Sequence, residues 1–370
     1  MAESFEPVLA LGLMSGTSMD GIDAALLETD GEAVIRAGAR LSLPYDAAFR
    51  SLLVETAAGR ADPFATERAL TDRHAEAVRA LLRAAGLGPA AVRVIGFHGH
   101  TIRHEPAAGL TVQLGDGARL CALTGIDVVA DFRRRDLAAG GEGAPLAPVF
   151  HAALARCEPR PLAVLNLGGV GNLTFVPAGE APEAGLIAFD TGPGCALIDD
   201  WALCHLGQPL DRDGGLARRG RVDREALQAL LAAPYFGRPP PKSLDRADLG
   251  AAPVEALSAE DGAATLVAFT AAAVARALRH LPAPPLRWLV TGGGRRNPAL
   301  MAALAESLAA PVDPIEAIGA DGDALEAQAF AYLAVRSLRG LALSFPGTTG
   351  VPAPLTGGAL HRVGARRPSP

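Results

Sequence analysis

A glycine- and hydroxyl-rich segment near the N-terminus is the densest group of residues that could perform chemistry: Gly12-Leu-Met-Ser-Gly-Thr-Ser-Met-Asp-Gly-Ile-Asp23. Its glycines let the backbone approach a ligand closely, and such a turn can surround phosphate oxygens with a nest of N–H groups. An ordinary hairpin turn is the alternative. The segment is not a P-loop, because no GKS or GKT sequence is present and a strand-like run follows. The predicted phosphate-binding residues are Gly16, Thr17, Ser18, Met19, Asp20, Gly21, Ile22 and Asp23.

Carboxylates in and beyond this segment could hold a divalent cation. Mg²⁺ prefers carboxylate oxygens and keeps several of its waters. We therefore predict Asp20 and Asp23 as magnesium ligands, directly or through water. Glu326, near the start of a predicted helix, could reach the same ion or a ribose, and a helix-surface glutamate is the alternative.

A second segment, Ile187-Ala-Phe-Asp-Thr-Gly-Pro-Gly194, places an aspartate at the end of an apolar strand. A Gly-x-Gly turn into a predicted helix follows, which is where α/β proteins place ligands. The N–H groups at the start of that helix could also bind an anion. Asp190 is therefore a candidate for chemistry, and Gly192 and Gly194 are predicted phosphate contacts. A turn-forming or helix-capping aspartate is the alternative.

A triple glycine lies between a predicted strand and a predicted helix in Leu289-Val-Thr-Gly-Gly-Gly-Arg-Arg-Asn-Pro298. Bare backbone at this point permits a flat ligand such as adenine to lie against it. A lone glycine cluster is weak evidence, but its position after two phosphate-type loops strengthens the interpretation. The predicted adenosine-binding residues are Gly292, Gly293, Gly294 and Asn297.

Alternating strand-like and helix-like segments must position these groups, and they indicate an α/β fold. Two strand–glycine–strand units, opening at Leu9 and Leu162, look like one device used twice; two unrelated hairpins are the alternative. Further strands are predicted near 92–97, 110–114, 126–130 and 287–291. Helices are predicted near 45–58, 64–85, 147–157, 195–207, 222–233, 263–280, 297–310 and 321–339.

Composition excludes several classes of protein. Apolar residues make up 49% of the 370 residues and charged residues 20%, which excludes wholesale disorder. A net charge of −6 argues against a nucleic-acid or anionic-membrane partner. The four cysteines form no CxxC pair, so neither a disulfide framework nor a zinc site is indicated. With an acidic N-terminus and no apolar run of roughly 18–20 residues, a cytoplasmic protein is expected.

The order of the three glycine-rich segments resembles that of the actin-like ATPase and sugar-kinase superfamily. Within it, the chain resembles the anhydro-N-acetylmuramic acid kinases from about residue 8 to residue 360. The motifs that carry the resemblance are MSGTSMDGID (14–23), HGHTIRHEP (98–106), VVADFRRRDLAAGGEGAPLAP (128–148), LNLGGVGN (165–172), FDTGPG (189–194), TGGGRRNPALM (291–301) and DALEAQAFAYLA (323–334).

The resemblance implies an ATP-dependent kinase that opens the 1,6-anhydro bridge of 1,6-anhydro-N-acetylmuramic acid with water and phosphorylates O6. The products would be N-acetylmuramic acid 6-phosphate and ADP, in peptidoglycan recycling. Asp190 matches the catalytic aspartate and would deprotonate the attacking water. Ordinary glycosidases need two carboxylates, but here phosphorus captures the leaving oxygen. Because a free aspartate has a pKa of about 3.9, we predict partial burial that raises the pKa of Asp190.

The implied fold is α/β and two-lobed, of the actin-like ATPase (duplicated RNase H-like) type, with ATP in the interlobe cleft. One lobe would contain residues 1–125 plus 341–370, and the other residues 126–340. The resemblance also suggests a homodimer. His98, Thr101, Arg133 and Arg134 are the predicted sugar contacts, with at least one of the two arginines available to a lactyl carboxylate or a phosphate. A solvated arginine cluster and an internally satisfied His98 are the alternatives.

Three motif positions differ from the pattern expected of the family. His100 and Glu142 stand where glutamine is expected, and Cys195 stands where asparagine is expected. Glu142 would repel an anionic lactyl group unless an arginine or His100 compensates. A kinase for a neutral anhydrosugar such as levoglucosan, or a non-catalytic actin-like ATP-binding module, are therefore alternatives. A requirement of ATP consumption for added sugar would distinguish the kinases from the module.

Overall fold

A computed structural model describes residues 5–16, 18–179, 181–246 and 248–364. The strands in chain order are β1 (Val8–Ser15), β2 (Gly21–Thr29), β3 (Val34–Pro44), β4 (Val94–Glu105), β5 (Leu110–Leu114), β6 (Val128–Ala130), β7 (Leu162–Leu167), β8 (Val170–Val176), β9 (Ile187–Pro193), β10 (Trp288–Thr291), β11 (Val312–Pro314) and β12 (Ala359–His361). The helices are α1 (Ala47–Ala57), α2 (Pro63–Ala84), α3 (Gly117–Thr124), α4 (Arg134–Ala138), α5 (Pro148–Leu154), α6 (Ala196–Leu206), α7 (Arg224–Leu231), α8 (Ala259–Ala277), α9 (Pro298–Ser307), α10 (Leu325–Leu338) and α11 (Pro346–Thr349).

The chain divides into two compact units. Unit 1 contains the chain up to Arg156 and from Asp323 onward, and unit 2 contains Cys157–Gly322. The boundaries therefore differ from the expected ones at residues 125 and 341. The difference has a physical cause: β6 pairs with β4 in the sheet of unit 1, and α10 packs on β1, β2 and β4 of the same sheet.

The two units share one sheet pattern. In unit 1, β1, β2 and β3 pair antiparallel, β1 also pairs parallel with β4, and β4 pairs parallel with β6. In unit 2, β7, β8 and β9 pair antiparallel, β7 pairs parallel with β10, and β10 pairs parallel with β11. Strands β5 and β12 extend only the first sheet. The prediction that one strand–glycine–strand device is used twice is confirmed.

Apolar side chains of the helices cover these sheets. In unit 1, α2 buries Leu70, Val78 and Leu81 completely, at the helical spacing visible in the sequence. The helix begins at Asp62, whose carboxylate accepts the N–H of Phe64 at 3.0 Å, and Pro63 occupies its first position. Truncating a buried leucine of this kind to alanine typically costs about 2–5 kcal/mol of unfolding free energy.

Close packing of α10 on the first sheet depends on glycine. A Cβ built on Gly12 would lie 1.7 Å from the carbonyl oxygen of Ala327, and one on Gly96 would lie 1.9 Å from that of Phe330. No side chain fits at either position. The missing side chains therefore let the helix that carries Glu326 lie directly on β1 and β4.

Helix α8, with the turn that follows it, is apolar enough over Ala259–His280 to meet the length and composition of a membrane span. Sequence analysis expected no uninterrupted apolar run of this length, and charged residues do interrupt the segment near both of its ends. About 67% of the segment's most apolar window is buried, and its side chains form the core of unit 2 with residues such as Trp201 and Trp288. The segment is therefore the core helix of this unit.

Candidate active site

The loop between β1 and β2 turns sharply in unit 1. The N–H of Met19 donates to the carbonyl of Gly16 at 3.0 Å, and Met19 adopts a φ of 55°. The hydroxyl of exposed Ser18 donates to the carboxylate of Asp20 at 2.8 Å. Thr17 lies outside the described residues. The loop thus has the tight, polar character predicted for a phosphate turn, whereas Gly21 and Ile22 belong to β2 and Ile22 is 2% exposed.

Carboxylates gather beside this loop. Partial burial raises the pKa of Asp23, and the neighbouring carboxylates of Asp20 and Asp323 raise it further. Glu326 is exposed at the start of α10, as the alternative of a helix-surface glutamate expected. The protein around its carboxyl nevertheless raises its pKa by partial desolvation, and Asp23 and Asp20 add to the increase. Within the described residues, no three His, Cys, Asp or Glu side chains are arranged to hold one metal ion. Direct ligation by all three predicted residues is therefore not supported, and contact through water remains the prediction.

Arg133 is held inside unit 1. Its Nη2 lies 2.9 Å from Nε2 of His98, and its Nη1 donates to the carbonyl of Gly143 at 2.8 Å. The other ring nitrogen of His98, Nδ1, lies 2.9 Å from the carbonyl of Gly99 and donates to it. Both nitrogens of His98 are thus used within the protein, which favours the alternative that it is internally satisfied. His98 orients Arg133.

Burial accounts for the protonation of this pair. Desolvation lowers the pKa of Arg133 to about 10, opposed by the carboxylates of Glu326 and Asp136. Desolvation, with Arg133 beside it, holds the pKa of His98 well below its usual range. At neutral pH the arginine is charged and the histidine neutral. Arg133 is therefore a half-buried cation on which the carboxylates of Glu326 and Asp136 act.

Arg134 does not share this position. It is exposed, and its Nε donates to Asp131 at 3.0 Å. Thr101 is half-exposed on β4, where its hydroxyl accepts a bond from Gln113 at 3.2 Å. Of the four predicted sugar contacts, only Arg133 has a half-buried charge held by several elements.

His100, one of the three departures from the family pattern, is completely buried. Its Nδ1 lies 3.0 Å from the hydroxyl of Ser15, which lies 2.8 Å from the hydroxyl of Tyr45. Burial lowers the pKa of His100, so the ring is neutral at physiological pH. His100 therefore supports the end of β1, directly before the phosphate turn, and does not compensate the charge of Glu142.

The loop that contains Glu142 is tied down from several sides. The N–H of Glu142 donates to the carbonyl of Thr349 at 2.7 Å. The N–H of the next residue, Gly143, donates to buried Asp136 at 2.6 Å. Because Gly143 also accepts from Arg133, the side chain of Glu142 follows directly from a backbone segment that the predicted anion-binding arginine holds.

Asp190 lies inside β9 of unit 2, half-buried, opposite Asn172 on β8. The prediction that it ends a strand was wrong, because β9 continues to Pro193 through an irregular register. Its N–H donates to the carbonyl of Lys242 at 3.1 Å, and its carboxylate Oδ2 accepts the N–H of Leu244 at 2.8 Å. The predicted partial burial is confirmed, and the raised pKa of Asp190 remains a prediction.

A segment from Tyr235 to Leu244, which we call the clamp, holds Asp190. Besides the bond that Asp190 donates to Lys242 and the bond that it accepts from Leu244, the hydroxyl of Tyr235 donates to the carbonyl of Asp190 at 2.6 Å. Sequence reasoning missed these residues because the segment is proline-rich and has no helical or strand periodicity. One signal was available: Lys242 is the only lysine among the 34 basic lysine and arginine residues of the chain.

The start of α6 is not open to an anion. The N–H groups of Gly194 and Ala196 donate to the carbonyl of Gly169, and that of Cys195 donates to Gly168, at 2.7–3.2 Å. The prediction that these groups bind phosphate is therefore wrong for the helix start and for the N–H of Gly194. Buried Gly192 pairs with Gly171 inside the sheet.

An exposed turn of unit 2 lies between β7 and β8. It consists of Gly168 and Gly169, and Gly169 is exposed. These glycines were part of the motif that signalled the fold but were not among the predicted site residues. They occupy the same position between the first two strands as the phosphate turn of unit 1, and this correspondence could have predicted them as site residues.

Two of the three glycines after β10 are tightly packed, and the third is open to solvent. A Cβ on Gly292 would lie 2.4 Å from Asn166, and one on Gly294 would lie 2.6 Å from Leu167, so both glycines permit close packing. Gly293 is exposed, with open space where a side chain would stand. Asn297 caps α9 with its side-chain oxygen. Bare backbone is thus offered to a flat ligand mainly at Gly293.

A duplicated sheet with a glycine-containing hairpin between its first two strands defines the actin-like ATPase and sugar-kinase class. Within this class the chain belongs to the anhydro-N-acetylmuramic acid kinase family, whose model matches residues 8–362. It is 57% identical to the anhydro-N-acetylmuramic acid kinase of Paramagnetospirillum magneticum, over 96% of this chain and 99% of that protein. It is also 57% identical to that of Rhodospirillum rubrum, over 97% of this chain and 95% of that protein. Among solved structures, xylulose kinase from Lactobacillus acidophilus aligns over 89% of each chain, with 12% identity and a TM-score of 0.46.

Proposed function

We propose that the chain hydrolyses the 1,6-anhydro bridge of 1,6-anhydro-N-acetylmuramic acid and transfers the γ-phosphoryl group of ATP to O6. The products are N-acetylmuramic acid 6-phosphate and ADP, which places the enzyme in peptidoglycan recycling in the cytoplasm. The observation that carries the proposal is a half-buried aspartate, Asp190, whose main chain and carboxylate are both held by the clamp. Homodimer formation is part of the same expectation.

Asp190 acts as the general base in this scheme. It takes a proton from water as the oxygen attacks the anomeric carbon, and the bond between C1 and O6 breaks. O6 bonds to the γ-phosphorus, and ADP leaves with the electron pair of the broken phosphoanhydride bond. A second carboxylic acid is not needed, because the phosphoryl group rather than a proton captures O6. The N–H of Leu244 fixes the direction of the Asp190 carboxylate.

Positioning of ATP falls to backbone groups. The tight, polar turn that Gly16, Met19 and Asp20 form supports the close approach of a phosphate to the backbone. Gly168 and Gly169 take the place of Gly194 as the proposed phosphate turn of unit 2. Exposed Gly293 supports contact with the adenosine moiety.

The carboxylates of unit 1 fit a magnesium ion. Asp20 and Asp323 raise the pKa of Asp23, and Asp23 and Asp20 raise the pKa of Glu326, so a cation would relieve this repulsion. When bound, Mg²⁺ supplies charge neutralisation to the phosphates. Since these side chains do not form a three-ligand cluster, we propose that they hold the ion partly through its waters, as Mg²⁺ usually requires.

Arg133 supports recognition of the anionic lactyl group. Its charge is half-buried and fixed by His98 and Gly143, which suits a carboxylate partner. Glu142, on the adjoining residue, favours a second candidate, a neutral anhydrosugar such as levoglucosan. Because the two sugars differ in charge, comparing them tests whether Arg133 or Glu142 determines the choice of substrate.

The deciding experiment incubates the protein with Mg·ATP and 1,6-anhydro-N-acetylmuramic acid in ¹⁸O-water, with levoglucosan run in parallel. We expect a ring-opened 6-phosphate that carries one heavy oxygen at the anomeric carbon. Turnover of levoglucosan alone would replace the proposed substrate by the neutral one. ATP binding without consumption in either mixture would instead support an ATP-binding module.

A further inference from the structure

Lys242 is unusual in both sequence and structure. It is the only lysine of the chain, which has 33 arginines. It is also 4% exposed, although lysine is rarely buried without a partner. A lone buried lysine in the segment that holds the proposed base calls for a physical explanation.

The ammonium group sits in an aromatic cage. Nζ lies 4.6 Å from the ring centre of Tyr235 and 5.6 Å from that of Phe189, the residue before Asp190. The ammonium group donates one long hydrogen bond, of 3.5 Å, to the carbonyl of Tyr235. A buried ammonium carries three donors, so this cage satisfies the charge only in part. The negative charge of Asp190 also acts on the ammonium group and opposes the loss of its proton.

An arginine would not serve equally well here. A guanidinium has five donors in a rigid plane and remains charged at physiological pH. An ammonium is compact and adjusts its proton affinity when it is buried. Desolvation lowers the pKa of Lys242 to about 8, helped by Arg279 and Arg238 and opposed by Asp190.

We propose that Lys242 is a positioning residue whose buried positive charge keeps the Asp190 carboxylate ionised and ready to accept a proton. This inference rests on the proposed function of Asp190. The carbonyl of Lys242 fixes the backbone of Asp190, while its ammonium group acts on the carboxylate through charge. One residue thereby sets both the place and the protonation of the base.

Other titratable groups near Lys242 and Asp190 also affect the charge of Lys242. Arg238 and Arg279 are exposed cations that repel the ammonium group of Lys242. His280, beside Phe189, has its pKa lowered by burial and by Lys242, so it is neutral at physiological pH. Asp190 is therefore the negative partner that opposes the loss of the proton from Lys242.

A titration of the single lysine tests the charge pair without catalysis. Protein grown with ¹³C,¹⁵N-lysine gives one side-chain resonance, because the chain has one lysine. We expect a midpoint near 8 in the wild type. In Asp190→Asn the midpoint should fall by about one pH unit, because the stabilising anion is lost. Asp199→Asn, elsewhere in unit 2, is the matched control and should leave the midpoint unchanged.

Equal midpoints in the wild type and in Asp190→Asn would overturn the inference. A midpoint that moves equally in both variants would also overturn it, since the effect would then be general to unit 2. The titration does not use turnover. Its result therefore stands even if the wild type phosphorylates neither sugar, which would refute the proposed function instead.

The pH profile of kcat/KM tests the consequence for catalysis. In Lys242→Met the acid limb should move to higher pH by about one unit, because an uncompensated carboxylate binds its proton more tightly. Lys242→Arg should restore part of the shift. Arg238→Met removes an exposed cation near the same Tyr235 ring and should move the limb by less than about 0.3 units.

Folding of the variants is checked by thermal melting. Lys242→Met should melt no lower than the wild type, because a buried ammonium opposes folding. If Lys242→Met did not fold, the resonance titration of the wild type and Asp190→Asn would still decide. A folded Lys242→Met with a wild-type acid limb would show that the lysine has only a structural role.

Discussion

The same row of residues can be followed across both sheets. In unit 1 it runs from Met14 on β1 to Asp23 on β2 and Ser42 on β3. In unit 2 it runs from Asn166 on β7 to Asn172 on β8 and Asp190 on β9. The acidic residue is on the middle strand in one sheet and on the third strand in the other. The two sheets therefore have the same topology but carry their acidic residue on different strands at equivalent positions.

The two units also hold their charges in different ways. In unit 1, charged side chains from β2, α10 and the segment after β6 lie near one another and near histidines. In unit 2, Asp190 is held mainly by backbone groups of one segment, the clamp. A charge network of side chains can respond to a bound ion or anion, whereas backbone bonds fix a single position. We therefore expect unit 1 to govern ligand affinity and unit 2 to govern turnover.

The largest effect is expected from the strand that carries the proposed base. Asp190→Asn keeps the size of the side chain and its bond to Leu244 but removes the basic oxygen, so kcat should fall by about 10²–10⁴-fold. Binding of ATP, measured by calorimetry, should change little. Asn172→Asp, its neighbour across the sheet, is the matched control and should not restore activity in the Asp190→Asn background. Wild-type turnover by Asp190→Asn would show that Asp190 is not the base and that unit 2 does not govern turnover.

Acidification should destabilise the folded state at two buried histidines of unit 1. Burial lowers the pKa of His74 and of His151, both in unit 1, to about 4. The unfolded chain binds their protons from about pH 6.5 downward, whereas the folded chain does not until about pH 4. Stability is thus lost as the pH falls through this window, by about 3 kcal/mol for each histidine.

Unit 2 contains a half-buried aspartate that acidification should stabilise in the folded state. Burial raises the pKa of Asp199 to about 6, so the folded state binds its proton first and gains stability between about pH 6 and pH 4. Hydrogen exchange at pH 7.5 and pH 5, read by mass spectrometry, should therefore show earlier loss of protection in unit 1. His74→Leu should reduce that loss. Earlier opening of unit 2 would contradict this prediction.

Arg133 should separate affinity from turnover. Replacing it by methionine removes the buried cation together with its bonds to His98 and Gly143, so the KM for the anionic sugar should rise by about 10–100-fold. The value of kcat should change less. Arg134→Met, which removes the exposed neighbour, should leave the KM within about twofold. An equal rise in KM for levoglucosan would show that Arg133 does not recognise charge.

The smallest effect is expected at His100. A glutamine can still pair with Ser15, so His100→Gln should change the KM for ATP by less than about threefold. His100→Leu leaves the Ser15 hydroxyl without this partner, and the KM should rise by about five- to tenfold, the equivalent of one lost hydrogen bond. Steady-state kinetics with ATP varied would measure both. Identical KM values for the two variants would refute a role for His100 in supporting the phosphate turn.

Much of the fold was predictable, because hairpins and long amphipathic helices leave local signals. The phosphate turn, α2 and the second hairpin were predicted within a few residues of their positions. The strand β3 was missed, because most of its residues are exposed and alternate weakly. The unit boundary was missed because it depends on the pairing of β6 and on where α10 packs, neither of which is local in sequence.

The candidate site was predictable only in part. Asp190 and the glycine turns have motif-like neighbours, so their residue types reveal them. The clamp does not, since Leu244 lies 54 residues beyond the carboxylate that it binds. The N–H groups at the start of α6 looked available in the sequence, and only the fold reveals that two glycine carbonyls accept them.

The single lysine also makes the molecule its own proteolytic reporter. A protease specific for lysine has one cleavage site, the bond between Lys242 and Ser243, and the lysine side chain is 4% exposed. Cutting therefore requires local opening of the clamp, and its rate follows the population of that open form when closing is fast. Two fragments in a time course would report how often the segment around Asp190 opens, and added substrate should slow their appearance.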